Sequence, residues 1–383
     1  MKNITINGIV GCFSLGLVLV GAKAKADEPS FTSDAPGVVY TMDNAAGANH
    51  VLIFRQDDHG ALQAAGSVAT GGAGTGANLG LPDQNAVVLS HDGKWLFVCN
   101  AGSDEISVFS TEQGGLQLVD KVSSAGQMPL SLALHHNLLY VLNAGGLVGG
   151  KDNITGFFFV DGRLLPLPES TRSLSADNTG PAEVAFTRDG NNLIVTERLT
   201  NLIDTFNVGD DGGIIGNQPQ IFKSSGIDPF GFAVSRKNQV FVSEADPGVT
   251  GAATASSYSI SDQGDLKVIS AAVATHQSGA CWLALTPDDR FVYTANAGSG
   301  TLSGFRVGPD GSLNLLGTSG VAATIGSGTH PVDLAPSSNG RFLYSLANGN
   351  GTLGAFQIAE DGSLKSLGFV SGIPTSAAGL AVQ

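Results

Sequence analysis

The 383-residue chain carries 53 glycines and only 14% charged residues, a composition that suits a turn-dense β protein and argues against a helical or disordered one. Its net charge of -14 argues against a nucleic-acid partner, because a phosphate backbone needs clustered Lys and Arg to displace counterions, and it disfavours an anionic membrane surface.

The chain begins with Met1 and Lys2, runs apolar over residues 8–22, and reaches Ala24-Lys25-Ala26 ahead of Asp27-Glu28. That order predicts a signal peptide over residues 1–26, cleaved after Ala26. The run is short and glycine-rich for a membrane anchor. The mature chain, residues 27–383, is therefore expected to be a single domain, secreted or periplasmic, with no stable membrane insertion. Two cysteines remain, Cys99 and Cys281, which read as buried small hydrophobes rather than a disulfide pair.

From Leu89 onward one unit recurs. LSHDGKWLFVCNAGSDEISVF begins at Leu89, ALHHNLLYVLNAGG at Ala133, AFTRDGNNLIVTERLTNLIDTF at Ala185, AVSRKNQVFVSEA at Ala233, LTPDDRFVYTANAGSGTLSGF at Leu285 and APSSNGRFLYSLANGNGTLGAF at Ala335. Each reads as short strands punctuated by Gly, Pro, Asp and Asn turns, which makes a four-stranded meander. Residues 281–317 give the clearest example. The spacing of about 45 to 52 residues suits propeller blades. A seventh unit is split: residues 38–66 supply three strands, and the tail at 376–383 repeats the first-strand pattern. The sequence thus predicts an all-β, seven-bladed β-propeller closed by pairing its two ends. Glycine-rich stretches at 71–83, 145–153 and 246–255 interrupt the repeat as loops.

Residues in one column of the repeat should ring the central axis. The second strands end in Asp43, Asn100, Asn143, Glu197, Glu244 and Asn296, with Asn348 one residue late. The first strands start with Ala86, Ser131, Glu183, Gly231, Trp282, Asp333 and Gly379. Both columns are expected at the channel mouth. Asn before Ala-Gly suits a turn in which the side chain bonds its own backbone. Glu197 and Glu244 depart from that pattern, Glu183 adds a third carboxylate, and Arg198 stands beside them. Carboxylates at one mouth raise one another's proton affinity, while a cation holds one ionised. Glu183, Glu197, Glu244 and Arg198 are therefore the candidate acid–base group. The same oxygens suit calcium, but the pattern requires no cofactor and assigns no metal site. Ser131, Phe230, Trp282, His330 and Asp333 are the candidate substrate-binding residues of the rim. For all of these the alternatives are turn acceptors and packing between blades.

The repeat form Leu-Ser-x-Asp-Gly-x-x-Leu-x-Val-x-Asn and the Asp-Gly-x-Leu hairpins at Asp310-Gly311-Ser312-Leu313 and Asp361-Gly362-Ser363-Leu364 resemble the seven-bladed lactonase propellers, which include 6-phosphogluconolactonases and carboxymuconate cyclases. The resemblance covers everything after the leader and implies a site lined by Arg, His and Glu. Its Gly-Pro-Arg-His pattern in blade four meets Gly180-Pro181-Ala182-Glu183 here, and its Asn-Glu meets Thr196-Glu197. With Ala and Glu where the resemblance implies Arg and His, the favoured reading is a propeller that binds a protein or glycan through its channel face or loops. The alternative is a hydrolase or cyclase acting on a small sugar lactone or muconate-type substrate. There Glu183 or Glu197 would take the proton and Arg198 would steady the oxyanion.

Overall fold

The computed structural model describes residues 37–79, 81, 83–112 and 115–383; the expected signal peptide, residues 1–26, lies outside the described residues. Seven antiparallel sheets form a ring, each sheet one blade with its strands in chain order from the axis outward. The inner strands of blades two to seven are Val87–Leu89, Pro129–His135, Pro181–Phe186, Pro229–Val234, Ala280–Leu285 and Pro331–Pro336. Each packs against the inner strand of the next blade.

Blade one combines Val38–Met42, His50–Gln56 and Leu62–Ala69 with an inner strand from the far end of the chain, Ala378–Val382. Val39 lies opposite Val382 and Met42 opposite Ala378, so the ring closes by the expected two-end seam.

Burial explains the sequence pattern. Second strands such as Trp95–Asn100, Phe291–Asn296 and Phe342–Ala347 are covered on both faces by neighbouring blades, and they read as nearly unbroken apolar runs. Fourth strands at the rim, such as Gln117–Ser123 and Leu364–Ser371, are mostly exposed. The Ser/Thr-x-Asp hairpin joins first to second strands. In blade six, Thr286 Oγ1 donates to Asp288 at 2.7 Å and accepts from the Phe291 N–H at 3.0 Å. Ser90 and Thr187 do the same with Asp92 and Asp189 in blades two and four, and Ser337 does so with Asn339 in blade seven.

A second device ties blades together. Tyr140, Tyr293 and Tyr344 donate to the carbonyls of Gly212, Gly362 and Gly60 at 2.8, 2.7 and 3.1 Å, each on a hairpin of the following blade. Gly362 has φ +89°, and a Cβ there would lie 2.4 Å from the Phe291 ring, so only glycine fits.

Several local features differ from expectation. The outer strands of blades three and six are each broken in two, at Arg163–Pro166 and Arg172–Ser173 and at Leu313–Leu315 and Ala323–Thr324. Loops 71–83 and 145–153 contain helical turns at Gly76–Leu79 and Gly145–Val148. Cys99 is buried and Cys281 partly buried, and both are free thiols.

Candidate active site

An inner strand has one edge paired with its own blade and another facing the axis, where its N–H and C=O groups need partners. Side chains and one chain segment supply them. A bulge at the start of the inner strands, between Pro129 and Ser131, Pro181 and Glu183, Ala280 and Trp282, and Pro331 and Asp333, sets the register of that column.

Ser131 Oγ accepts from the Val184 N–H at 3.1 Å. Glu183 accepts from the Phe232 N–H at 2.5 Å and from Asn85 Nδ2 at 2.6 Å. Residues 83–85, following the glycine-rich loop, cross the axis rather than skirting it. The Gln84 amide takes both edge groups of Leu283, donating to its carbonyl at 2.6 Å and accepting from its N–H at 3.0 Å. The Trp282 indole donates to the Asp83 carbonyl, and Asn85 O accepts from the Leu132 N–H at 2.9 Å.

Three buried carboxyls meet on this axis: Asp83, Glu183 and Asp333. Burial pushes all three well above the ordinary carboxylate range. Charge from Asp333 adds to the rise at Asp83 and Glu183.

The expected convergence of Glu183 with Glu197 and Glu244 does not occur, because the second-strand column points into each blade. Its Asn members reach the third strand and the incoming loop instead of their own turn. Asn100 Nδ2 donates to Ser107 at 2.7 Å and its Oδ1 accepts from Thr70 at 2.6 Å, while Asn296 donates to Thr301 and Ser303.

Glu197 and Glu244 fill the same position where the surroundings offer donors. Glu197 accepts from the Ser175 N–H and hydroxyl and from Thr200, at 3.0, 2.5 and 2.6 Å. Glu244 accepts from the Gly226 N–H at 2.9 Å and from Thr254 at 2.5 Å, and burial raises its pKa against these bonds. Asp204 lies beside Glu197 and is pushed to about 9, first by burial and then by the Glu197 charge. No calcium set forms from Glu183, Glu197 and Glu244, and among the described residues no three His, Cys, Asp or Glu are grouped to hold a metal ion.

Arg198 is placed at the mouth. Its guanidinium lies 5.1 Å from the centre of the Phe230 ring, and its Nε donates to the Gly180 carbonyl at 3.3 Å. Phe230 in turn packs against Trp282, with ring centres 4.8 Å apart. His330 is exposed on blade seven, with Gly349 close against its ring.

Beside Arg198 is a carboxylate that sequence reasoning missed. Asp228 is partly buried; burial raises its pKa, the Arg198 charge lowers it and the Asp246 charge raises it. Its charge also acts on the Cys281 thiol, which burial pushes up to about 12. Asp228 has φ +61°, and the other residues preceding the inner-strand prolines, Met128, Gly180 and His330, are left-handed too, at +55°, +59° and +45°. Non-glycine residues held there store backbone strain and concentrate at functional sites. The alignment of Gly180-Pro181 with Asp228-Pro229 and His330-Pro331 carried that signal.

The family model described as Lactonase, 7-bladed beta-propeller matches residues 48–146 and 232–333. A 6-phosphogluconolactonase of Serratia proteamaculans (strain 568) is 26% identical over 285 residues, spanning 71% of this chain and 80% of that protein. Two solved structures share the fold. A candidate 6-phosphogluconolactonase of Bacteroides fragilis superposes with a TM-score of 0.69 at 19% identity, covering 93% of this chain and all of that one. The periplasmic gluconolactonase of Pseudomonas aeruginosa gives 0.69 at 18%, covering 91% and 98%.

Proposed function

Because the chain belongs to the lactonase family of seven-bladed β-propellers, we propose that it is a lactone hydrolase working at the channel mouth over blades four to six. The observation that carries this reading is the placement of Asp228. It is a half-buried carboxylate whose pKa burial raises, near enough to Arg198 for that charge to act on it, and the Arg198 guanidinium is itself held over the Phe230 ring. In this mechanism Asp228 takes a proton from water as the water oxygen bonds to the lactone carbonyl carbon. Arg198 steadies the oxyanion that develops on the carbonyl oxygen. When the ring C–O bond breaks, Asp228 returns the proton to the departing alkoxide, leaving a hydroxy acid.

From the residues singled out in the sequence, this assignment keeps Arg198 at the chemistry and Phe230 beneath it, with Trp282 bracing Phe230. Glu183, Ser131 and Asp333 become groups of the filled axis, and Glu197 and Glu244 hold the loops that reach the mouth. The interaction-propeller reading has less behind it, since the family match and the gluconolactonase relatives favour a small lactone. The leader pattern of residues 1–26 supports export, so the reaction is proposed to run outside the cytoplasm.

The test is proton release from δ-gluconolactone and γ-butyrolactone by the purified mature protein. Asp228→Asn and Arg198→Gln should each reduce turnover by about 100-fold or more while leaving the circular dichroism unchanged. Failure to open any lactone, or full activity in both variants, overturns the proposal.

A further inference from the structure

Resting on that reading, we infer that the substrate is an uncharged lactone carrying an apolar substituent, and not a phosphorylated sugar lactone. The charges that act on Asp228 are one cation, Arg198, and one carboxylate, Asp246. Lys121, on the outer strand of blade two, and Lys151, on the loop after the second strand of blade three, are paired with Glu105 at 2.5 Å and Asp177 at 3.4 Å. A phosphate dianion brought to Arg198 would meet two carboxylates for one guanidinium, so repulsion offsets the attraction.

What flanks Arg198 is apolar. Leu199 is 60% exposed and Ile227 is 56% exposed. Leu199 lies over the Gly180 backbone, where a Cβ would come within 2.7 Å of its Cγ, and the Gly180 carbonyl is the one that accepts from Arg198. Ile227 adjoins Asp228 on the next loop. Asn201 ties the two loops together, accepting from the Asp228 N–H at its Oδ1 at 2.7 Å and from the Ser224 N–H at its carbonyl at 3.0 Å. Both isoleucine and leucine are therefore fixed at the rim around the proposed oxyanion position. An alkyl or aryl arm on the lactone ring would cover them while the carbonyl faces Arg198.

The experiment compares kcat/KM for 6-phosphogluconolactone, γ-butyrolactone and a γ-lactone bearing a hexyl chain. The hexyl lactone should exceed the phosphorylated one by at least about tenfold. In Leu199→Ser/Ile227→Ser, the ratio of kcat/KM for hexyl over unsubstituted lactone should fall about tenfold. Because the measure is a ratio, a general loss of activity does not imitate it. Preference for 6-phosphogluconolactone, or an unchanged ratio in the double variant, overturns the inference while leaving lactone hydrolysis standing. If no lactone is opened, both fall.

Discussion

Replacing Gln84 by Ala tests whether the axis is filled by the chain itself. The variant removes the amide that pairs with Leu283, leaving an N–H and a C=O unpartnered at a residue that is fully buried. Each orphaned group costs about 1–3 kcal/mol, and water entering the space vacated by the side chain returns part of that. A net loss of about 2–4 kcal/mol follows. At about 2.1 cal/mol/K per residue, the unfolding entropy of a chain of 383 residues is about 0.8 kcal/mol/K, so Tm should fall by about 2.5 to 5 °C. Differential scanning calorimetry reads this directly, with Gln63→Ala on the exposed outermost strand of blade one as the control. A Tm within about 1 °C of the parent would refute the edge-pairing argument, because an exposed amide costs no more than that to lose.

Further outcomes follow from the same geometry. The buried carboxyls at Asp83, Glu183 and Asp333 hold protons more tightly folded than unfolded, so the stability they contribute is present below the ordinary carboxylate range and is lost as pH rises through their folded values. Asp333→Asn removes one of them and should flatten the fall in Tm from about pH 4 upward; an unchanged slope would contradict burial as the cause. Activity should fall as pH drops through the raised pKa of Asp228, and Arg198→Gln, which deletes the charge lowering that pKa, should move the acid limb of kcat/KM to higher pH. Deleting residues 377–383 strips blade one of its inner strand and should lower Tm markedly; an unchanged Tm would mean that the seam does not bear on stability. Tyr344→Phe removes one interblade bond, and urea titration should show a loss of about 1 kcal/mol.

The blades were legible because their signals are local. Thr286, Asp288 and the apolar run Phe291–Asn296 state a hairpin and a doubly covered strand within a dozen residues, and the repetition fixes the ring. The tail at 376–383 was legible for the same reason, since it repeats a pattern already read six times. The site was less so. Column membership put Glu183 at the start of an inner strand, but it could not say which way Glu197 and Glu244 turn, because that depends on hydroxyls and N–H groups of distant loops such as Ser175 and Gly226. The crossing of the axis by Asp83–Asn85 was hidden as well. The blade-six partners of Asp83 and Gln84 lie about 200 positions away, and no periodicity links Gln84 to Leu283. Asp228 shares its pre-proline position with Met128, Gly180 and His330, and the charge of Arg198 acting on it sets it apart from them.

The seam also sets an order of events during synthesis. Thr41 donates to the carbonyl of Ala378, 337 positions later, so a ribosome must make every intervening blade before that bond can form. Until then the Val38–Met42 strand keeps a bare edge able to recruit a stray strand, and the nascent ring is a crescent open at blade one. Conversion of crescent to ring is thus a late, non-local step. It exposes the protein to misassembly at one predictable place.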